Sequence, residues 1–378
     1  MKITFLGDIM LGRMIGSKYG NIPYQVVSDN IKNQIKDSDL VVANLESPIA
    51  VNASTEGDHL QFKGNPDLLS EFDFVNLFST ANNHITDCGE EGVDETVKIL
   101  DQDKFDHNGV FKKEYVPYTI TVGKEKVSIV TLTDMLNIPF DKDSKWRVLR
   151  LGDEKVMEYI VDLKRQGYTV ILFAHVGMLF TRYPNPITYE YMHSYIDAGA
   201  DLIVTCHSHC LGGMERYKGK YIFHSLGDFL MDGNSERRRQ SGILKIELNN
   251  GEFTNWCIIP TETSKEFKVD VLSGAKCDKK LREYNKVSKN IEDHSDCYAD
   301  YFKKVYRKEI LNHSIGTLKF IAKERGVLGL LKQISMRATE VGRTIFWMVS
   351  DRSKVQRDDD AIKPDRKKIS QDKLFGNK

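Results

Sequence analysis

Short apolar runs alternate with longer stretches of periodic hydrophobicity over about the first 230 residues. A short apolar run bounded by turn residues predicts a buried strand, and apolar residues three and four apart predict an amphipathic helix. The predicted strands are Ile3–Leu6, Leu40–Ala43, Phe74–Phe78, Tyr118–Val122, Val127–Leu132, Thr169–Ala174, Asp201–Thr205 and Tyr221–Ser225. The predicted helices are Tyr24–Ile35, Pro66–Phe72, a helix that begins after Gly89, Asp153–Arg165 and Thr188–Ala198.

A β-hairpin is predicted after this alternation. Ile243–Leu248 and Phe253–Ile259 flank the sequence Asn249-Asn250-Gly251, which is a strong turn signal. Strands that alternate with helices and then form a hairpin predict an α/β fold with a mixed sheet.

The chain changes character near residue 270, where glycine becomes rare and strand patterns stop. Leu281–Val305 and Ile310–Met348 predict helices, and the residues from Ser350 onward are mostly charged. We therefore expect a sandwich domain over residues 1–270. A basic helical extension over 271–349 and a charged, disordered tail over 350–378 would follow it.

Charge divides the chain at the same place. The 54 basic and 54 acidic residues give a net charge of zero, which excludes a strongly basic nucleic-acid-binding protein. Residues 1–270 nevertheless hold about 29 basic and 39 acidic side chains, which leaves about 25 and 15 for residues 271–378. The basic extension has three interpretations: a cap packed on the sandwich, a surface for an anionic membrane, or a binding surface for a partner enzyme or a second copy.

Polar side chains of metal-ligand type recur where the predicted strands end. They are Asp8, Asn44, Glu46, Asn82, Asn83, His84, His175, His207 and His209. Carboxylates, an amide carbonyl and imidazoles together form a ligand set for a pair of divalent transition ions. Such ions generate hydroxide from bound water and neutralise an oxyanion, and a histidine outside the ligand set can protonate a leaving group.

Three features of the sequence each have two interpretations that the residues alone leave open. The spacing of His207 and His209 also suits two side chains on one face of a strand, since alternate residues point the same way. Arg13 suits either an anionic substrate or a nearby carboxylate. The run Arg237-Arg238-Arg239 suits either a solvated turn or an anion-steering patch over a cleft.

A series of short motifs carries a resemblance to a known family. The motifs are Gly7–Arg13, Ala43–Pro48, Ala81–Gly89, His175–Gly177, Ala198–Asp201, His207–His209 and Ser225–Phe229. With them the chain resembles the CapA family, the bacterial capsule or poly-γ-glutamate synthesis proteins of the calcineurin-like metallophosphatase superfamily. The resemblance implies a four-layer α/β/β/α sandwich, to which the C-terminal helical extension is added.

The resemblance also implies a role for each motif residue. The implied metal ligands are Asp8, Glu46, Asn83, His175, His207 and His209. His84 resembles the catalytic histidine that contacts the oxyanion or the leaving group. Asn44, Arg13 and Asp228 are the substrate-binding candidates. One or two divalent ions, Mn, Fe or Zn, are the implied cofactors.

Two functional hypotheses follow. The first is a metal-dependent hydrolase that acts on a phosphoester or related anionic bond in capsule or other cell-surface polymer synthesis. The second is a non-hydrolytic accessory protein that binds a polymer or a synthase at the membrane surface. Departures from the family pattern motivate the second hypothesis, because Val176, Met178 and Asp228 replace a tryptophan, an acidic residue and an asparagine.

The remaining expectations concern location and partners. The chain shows neither a signal peptide nor a membrane-spanning apolar run, so we expect a cytoplasmic protein with peripheral membrane contact through the basic helices. The expected partner is an anionic substrate or polymer, and nucleic acid is not expected. The sequence assigns no oligomeric state.

Overall fold

The computed structural model describes residues 1–19, 25–55, 61–233 and 235–323. Met1–Thr317 form one compact unit, and a second unit begins at Leu318. The predicted residues 324–348 of the last helix and the predicted tail over 350–378 lie outside the described residues. The domain boundary expected at residue 270 stays a prediction.

The first sheet has a parallel half and an antiparallel half. Its strands are β1 (Lys2–Ile9), β2 (Leu40–Leu45), β3 (Leu77–Ser79), β4 (Asp106–Asn108), β13 (Asp228–Leu230), β14 (Gln240–Asn249), β15 (Glu252–Thr263) and β16 (Val269–Val271). Their order is β16-β15-β14-β1-β2-β3-β4, and β13 pairs with β1. Strands β1 to β4 are parallel, while β14 to β16 run antiparallel to their neighbours.

The second sheet has the order β11-β12-β10-β9-β7-β6. Its strands are β6 (Tyr118–Val122), β7 (Glu125–Thr133), β9 (Thr169–His175), β10 (Leu202–Cys206), β11 (Met214–Tyr217) and β12 (Lys220–Phe223). A separate two-stranded ribbon joins β5 (Val110–Phe111) to β8 (Arg147–Val148).

Seven helices belong to the described residues before residue 298. They are α1 (Arg13–Tyr19), α2 (Asp29–Ile35), α3 (Gly89–Gln102), α4 (Glu154–Arg165), α5 (Pro186–Ala198), α6 (Glu236–Arg239) and α7 (Gly274–Asp293). Two 3-10 turns cover Pro66–Phe72 and Ser295–Cys297. Residues 298–317 of the compact unit are also helical, and we call them the extension helix. Among the described residues no helix has the length and apolar character that a membrane span requires.

Three buried clusters define four layers. Phe5 of β1 and Phe173 of β9 meet between the two sheets, with ring centroids 5.6 Å apart. Ile31 of α2 packs on the outer face of the first sheet. Ile160 of α4 and Tyr195 of α5 pack on the outer face of the second. The α/β/β/α sandwich that the family resemblance implies is therefore confirmed.

Several predicted helices have different bounds in the structure. The helix predicted over Tyr24–Ile35 begins only at Asp29, because the Ser28 side chain accepts the N–H of Ile31 and caps the helix there. Val27 lies in an extended bridge to Val269 instead. The helix predicted over Leu281–Val305 is interrupted, since α7 ends at Asp293 and a 3-10 turn follows.

The described part of the extension packs on the sandwich. Tyr284 of α7 joins the core between the sheets. Val287 and Ile291 of α7 and Phe302 of the extension helix pack with Tyr183 in a further buried cluster. This packing supports the interpretation of these residues as a cap, whereas membrane and partner contacts remain predictions.

Candidate metal centre

The predicted ligands meet because the central strands of both sheets end at one edge. Asp8 of β1 pairs in register with Asn44 of β2 and with Asp228 of β13. His175 ends β9 in register with the last residue of β10. A Cβ on Gly7 would collide with the Gly227 carbonyl oxygen, so the close approach of β1 and β13 requires glycine at position 7.

Asp8 is fully buried and uses both carboxylate oxygens. Asn44 Nδ2 donates to Oδ1 at 2.7 Å, and His175 Nδ1 lies 3.3 Å from the same oxygen. The backbone N–H of His207 donates to Oδ2 at 3.0 Å. Burial raises the pKa of Asp8, but the charge and hydrogen bond of His175, together with the charge of His209 and the backbone N–H of His207, lower that pKa below its usual value. An ionised carboxylate at this position is a suitable ligand for a cation.

Glu46 is a buried carboxylate whose surroundings fit a bound cation. Its side chain is completely buried, and neither carboxylate oxygen has a hydrogen-bond partner. Oε1 lies 3.7 Å from His175 Nε2, 3.8 Å from His84 Nε2 and 3.9 Å from His209 Nε2. Burial and the neighbouring negative charges of Asp8 and Asp228 raise the pKa of Glu46 well above its usual value.

Two groups of possible donors share this carboxylate. Glu46, His175 and His207 form the first group; Asp8, Glu46, His209 and Asp228 form the second. Within each group one donor atom per residue lies within 4.8 Å of all the others. Buried carboxylates without hydrogen-bond partners are normally neutralised or bound to a metal. The residues therefore fit a divalent ion, with Glu46 placed to contact both donor groups.

The His207-Ser208-His209 loop leaves the strand before its histidines. β10 ends at Cys206, and the backbone φ angles of His207 and His209 are 97° and 56°. Positive φ at a residue other than glycine costs about 1–3 kcal/mol and is concentrated at functional sites. The alternative of two side chains on one face of a strand is therefore wrong. The strained turn instead brings His207 Nδ1 to 2.9 Å from His175 Nε2.

Asn83 and His84 enter from the loop after β3. The side-chain carbonyl oxygen of Asn83 lies 2.8 Å from His175 Nε2, so an amide oxygen is available beside the first donor group. His84 stacks on Phe62 with ring centroids 3.8 Å apart, and its Nδ1 lies 2.6 Å from Asp87. Burial lowers the pKa of His84, while the Asp87 carboxylate opposes that change. Asp87 thus orients the imidazole so that Nε2 faces Glu46.

Two predicted substrate-binding residues lie within the buried centre. Asn44 is fully buried, and its amide contacts Asp8 and His175. Asp228 is also buried, and its Oδ1 lies 2.7 Å from His209 Nδ1. Their geometry assigns both residues to the centre itself. Direct contact with a substrate stays a prediction.

The arginines near the centre are paired with carboxylates, and two of them are largely buried. Arg13 pairs with buried Asp232 at 3.3 Å while its side chain stays about a third exposed, so both of its sequence interpretations remain compatible with the structure. Arg237 and Arg238 belong to α6, and their side chains are only 20% and 12% exposed. Arg238 lies 3.9 Å from Asp228. The interpretation of Arg237-Arg238-Arg239 as a solvated turn is therefore wrong for its first two residues.

Sequence reasoning missed several supporting residues. Asn137 accepts a hydrogen bond from Asn83 Nδ2 at 3.0 Å, and its own Nδ2 lies 3.0 Å from His84 Nδ1. Phe180 has a φ angle of 63°, and its N–H donates to the Ser208 carbonyl at 2.8 Å. No motif surrounds Asn137 or Phe180 in the sequence, so only the fold reveals their proximity.

The four-layer sandwich, with buried histidines and carboxylates at its strand ends, agrees with the fold that the sequence resemblance implies. The family model described as bacterial capsule synthesis protein PGA_cap matches residues 2–233. The chain therefore belongs to that family of capsule synthesis proteins.

Two relatives illustrate the similarity. The chain is 27% identical to the PGA biosynthesis protein CapA of Bacillus subtilis, over 69% of this chain and 71% of the relative. It is 26% identical to the capsule biosynthesis protein CapA of Bacillus anthracis, over 69% and 67%. A solved NAD nucleotidase from Haemophilus influenzae has a TM-score of 0.41 and 15% identity, covering 81% of this chain and 60% of that one. That structural likeness is too distant to carry an inference about activity.

Proposed function

We propose that the protein is a metal-dependent hydrolase that cleaves a phosphoester or related anionic bond in the synthesis of a capsule or other cell-surface polymer. The observation that carries this proposal is the Glu46 carboxylate, which is fully buried without a hydrogen-bond partner and is shared by two groups of donors. Membership of the capsule synthesis family supports the biological setting.

The two donor groups would together hold one or two Mn, Fe or Zn ions. Glu46, His175 and His207 would hold one ion, with the Asn83 carbonyl beside them. Asp8, Glu46, His209 and Asp228 would hold the other. Bound ions of this kind activate water and neutralise the charge of an oxyanion.

His84 supplies the proton in this proposal. Its Nδ1 is held by the Asp87 carboxylate, so only Nε2 is directed toward the centre. A proton on Nε2 would pass to the leaving group as the anionic bond breaks. Asp87 keeps the ring in the required orientation and stabilises the charged form of the imidazole.

The competing proposal is a non-hydrolytic accessory protein that binds a polymer or a synthase. The observation that favours it is the low exposure of the centre. Even Asn83, His84 and His209, the most exposed residues around it, show less than a tenth of their surface to solvent. A centre of this kind could stabilise the fold without admitting a substrate.

A hydrolysis assay separates the two proposals. The full-length protein, purified without chelator, is tested on p-nitrophenyl phosphate and bis-p-nitrophenyl phosphate with added MnCl2. We expect turnover by the wild type, loss of turnover in His84→Ala and Asn83→Ala, and wild-type turnover in the control His107→Ala. His107 lies on β4 and pairs with exposed Asp101, away from the centre. Metal-loaded protein without any turnover would reject the hydrolase and leave the accessory role.

A further inference from the structure

The extension helix forms hydrogen bonds with the loop that follows β9. Glu309 of this helix is almost completely buried. Its carboxylate accepts hydrogen bonds from Arg182 Nε at 3.1 Å and Nη2 at 2.9 Å, and from the backbone N–H of Arg182 at 3.2 Å. Arg237 of α6 donates to the same carboxylate. Glu309 thus forms charged hydrogen bonds with two partly buried arginines and fixes a backbone group of the loop.

The same loop supports the strained His207-Ser208-His209 turn. Arg237 Nη2 donates to the carbonyl of Phe180 at 3.2 Å, and the N–H of Phe180 donates to the carbonyl of Ser208 at 2.8 Å. A chain of contacts therefore runs from Glu309 through Arg237 and Phe180 to Ser208. Ser208 lies between the two histidines that have positive φ angles.

A second contact from the extension helix reaches the Phe180 side chain. His313 is buried and stacks on the Phe180 ring, with centroids 3.9 Å apart and an interplanar angle of 3°. The centroids of the Phe180 and His209 rings lie 6.0 Å apart. The Arg238 guanidinium lies 5.3 Å from the centroid of the Phe180 ring. Phe180 itself has a positive φ angle, so its conformation also requires support from its neighbours.

We propose that Glu309 and His313 are positioning residues of the metal centre. They hold Phe180 by its backbone and by its ring, and Phe180 holds His207 and His209 in the strained turn that directs them toward the shared carboxylate. Both residues lie beyond residue 233, where the family model ends, so the extension completes a centre that the family motifs begin. This inference rests on the metal binding of the proposed function.

The test measures Mn²⁺ binding rather than turnover. Isothermal titration with MnCl2 compares the full-length wild type with His313→Ala, His313→Phe and Leu311→Ala, and thermal unfolding of each chelated protein is recorded in parallel. Loss of a group that orients metal ligands typically weakens metal affinity about 10–100-fold, and we expect a loss in that range for His313→Ala. His313→Phe keeps the stacked ring, so it should bind Mn²⁺ within about twofold of the wild type if stacking is what matters. Leu311 is 58% exposed on the same helix and serves as the matched control.

The outcomes separate this inference from the proposed function. Wild-type Mn²⁺ affinity in His313→Ala, with only a lower melting temperature, would overturn the positioning role and leave the metal centre intact. If His313→Ala does not fold, Glu309→Gln decides the matter, because it keeps the side-chain shape and removes the charge that fixes Arg237. An unchanged affinity in folded Glu309→Gln would overturn the inference. A wild type that binds no divalent ion would overturn the proposed function together with it.

Discussion

Replacing Glu46 with glutamine should stabilise the metal-free protein while removing its response to metal ions. Both carboxylate oxygens of Glu46 are buried without a hydrogen-bond partner, between the carboxylates of Asp8 and Asp228. A buried polar group left in that state costs about 1–3 kcal/mol, and more when it is charged. A neutral glutamine removes the charge and can donate a hydrogen bond to either neighbour. A gain of this size corresponds to a rise of roughly 1–4 °C in melting temperature for a chain of this length.

The effect depends on pH in a defined direction. The folded-state pKa of Glu46 lies above its ordinary value of 4.5. The metal-free protein therefore has its full stability below pH 4.5 and loses stability as the pH rises through the folded-state pKa. Glutamine does not titrate, so Glu46→Gln should remove this loss. The free energy by which Glu46→Gln is more stable than the wild type should therefore grow from pH 5 toward pH 8, to about 1–3 kcal/mol.

Differential scanning calorimetry in EDTA and in MnCl2 tests this prediction. Metal at about 100 times its Kd stabilises a protein by about 2.7 kcal/mol, so the wild type should melt at a higher temperature in MnCl2. Glu46→Gln should lose most of that increase. Glu252→Gln, which changes an exposed glutamate on β15, should behave as the wild type. A lower melting temperature of Glu46→Gln in EDTA, or a full response to MnCl2, would refute the reasoning.

Three further changes test other parts of the structure. Two histidines lower the pKa of buried Glu215 to about 2 in spite of its burial, so its stabilisation is present above pH 4.5 and is lost as the pH falls toward 2. Glu215→Gln should lower the free energy of unfolding at pH 7 by about 3 kcal/mol. It should also flatten the loss of stability at acid pH measured by urea unfolding, and an unchanged loss would exclude this role for Glu215. Phe173→Ala empties part of the core between the sheets and should cost about 3–5 kcal/mol in the same assay, whereas a cost below about 1 kcal/mol would argue against that packing. Asp87→Asn should lower kcat at least about tenfold with bound metal retained, because His84 loses the carboxylate that orients it; loss of metal instead would make Asp87 a ligand.

The sequence predicted those residues of the centre that lie at the ends of strands. Asp8, Glu46 and His175 follow or end buried parallel strands, and such strands bring their carboxyl ends to one edge. Periodicity identifies these strands without further information. The four layers were predicted through the family resemblance, and the buried clusters confirm them.

The remaining features depend on contacts that are distant in sequence. Arg237 turns inward because it meets Glu309, 72 residues later in the chain, and a local charge run cannot reveal such a partner. Asp228 joins the donors because β13 pairs with β1, and β13 is too short to be recognised from periodicity. The turn at His207 depends on positive φ angles, which remain uncommon for any residue other than glycine and therefore are not predicted from the sequence.

Metal content measures the central claim most directly. Full-length protein and the Glu46→Gln variant are purified without chelator, and Mn, Fe and Zn are quantified by mass spectrometry against protein concentration. We predict one or two equivalents of transition metal in the wild type, as expected for donor groups that share a carboxylate, and a clear loss of metal in the variant. A wild type without stoichiometric metal, also after incubation with each ion, would contradict the proposed metal centre.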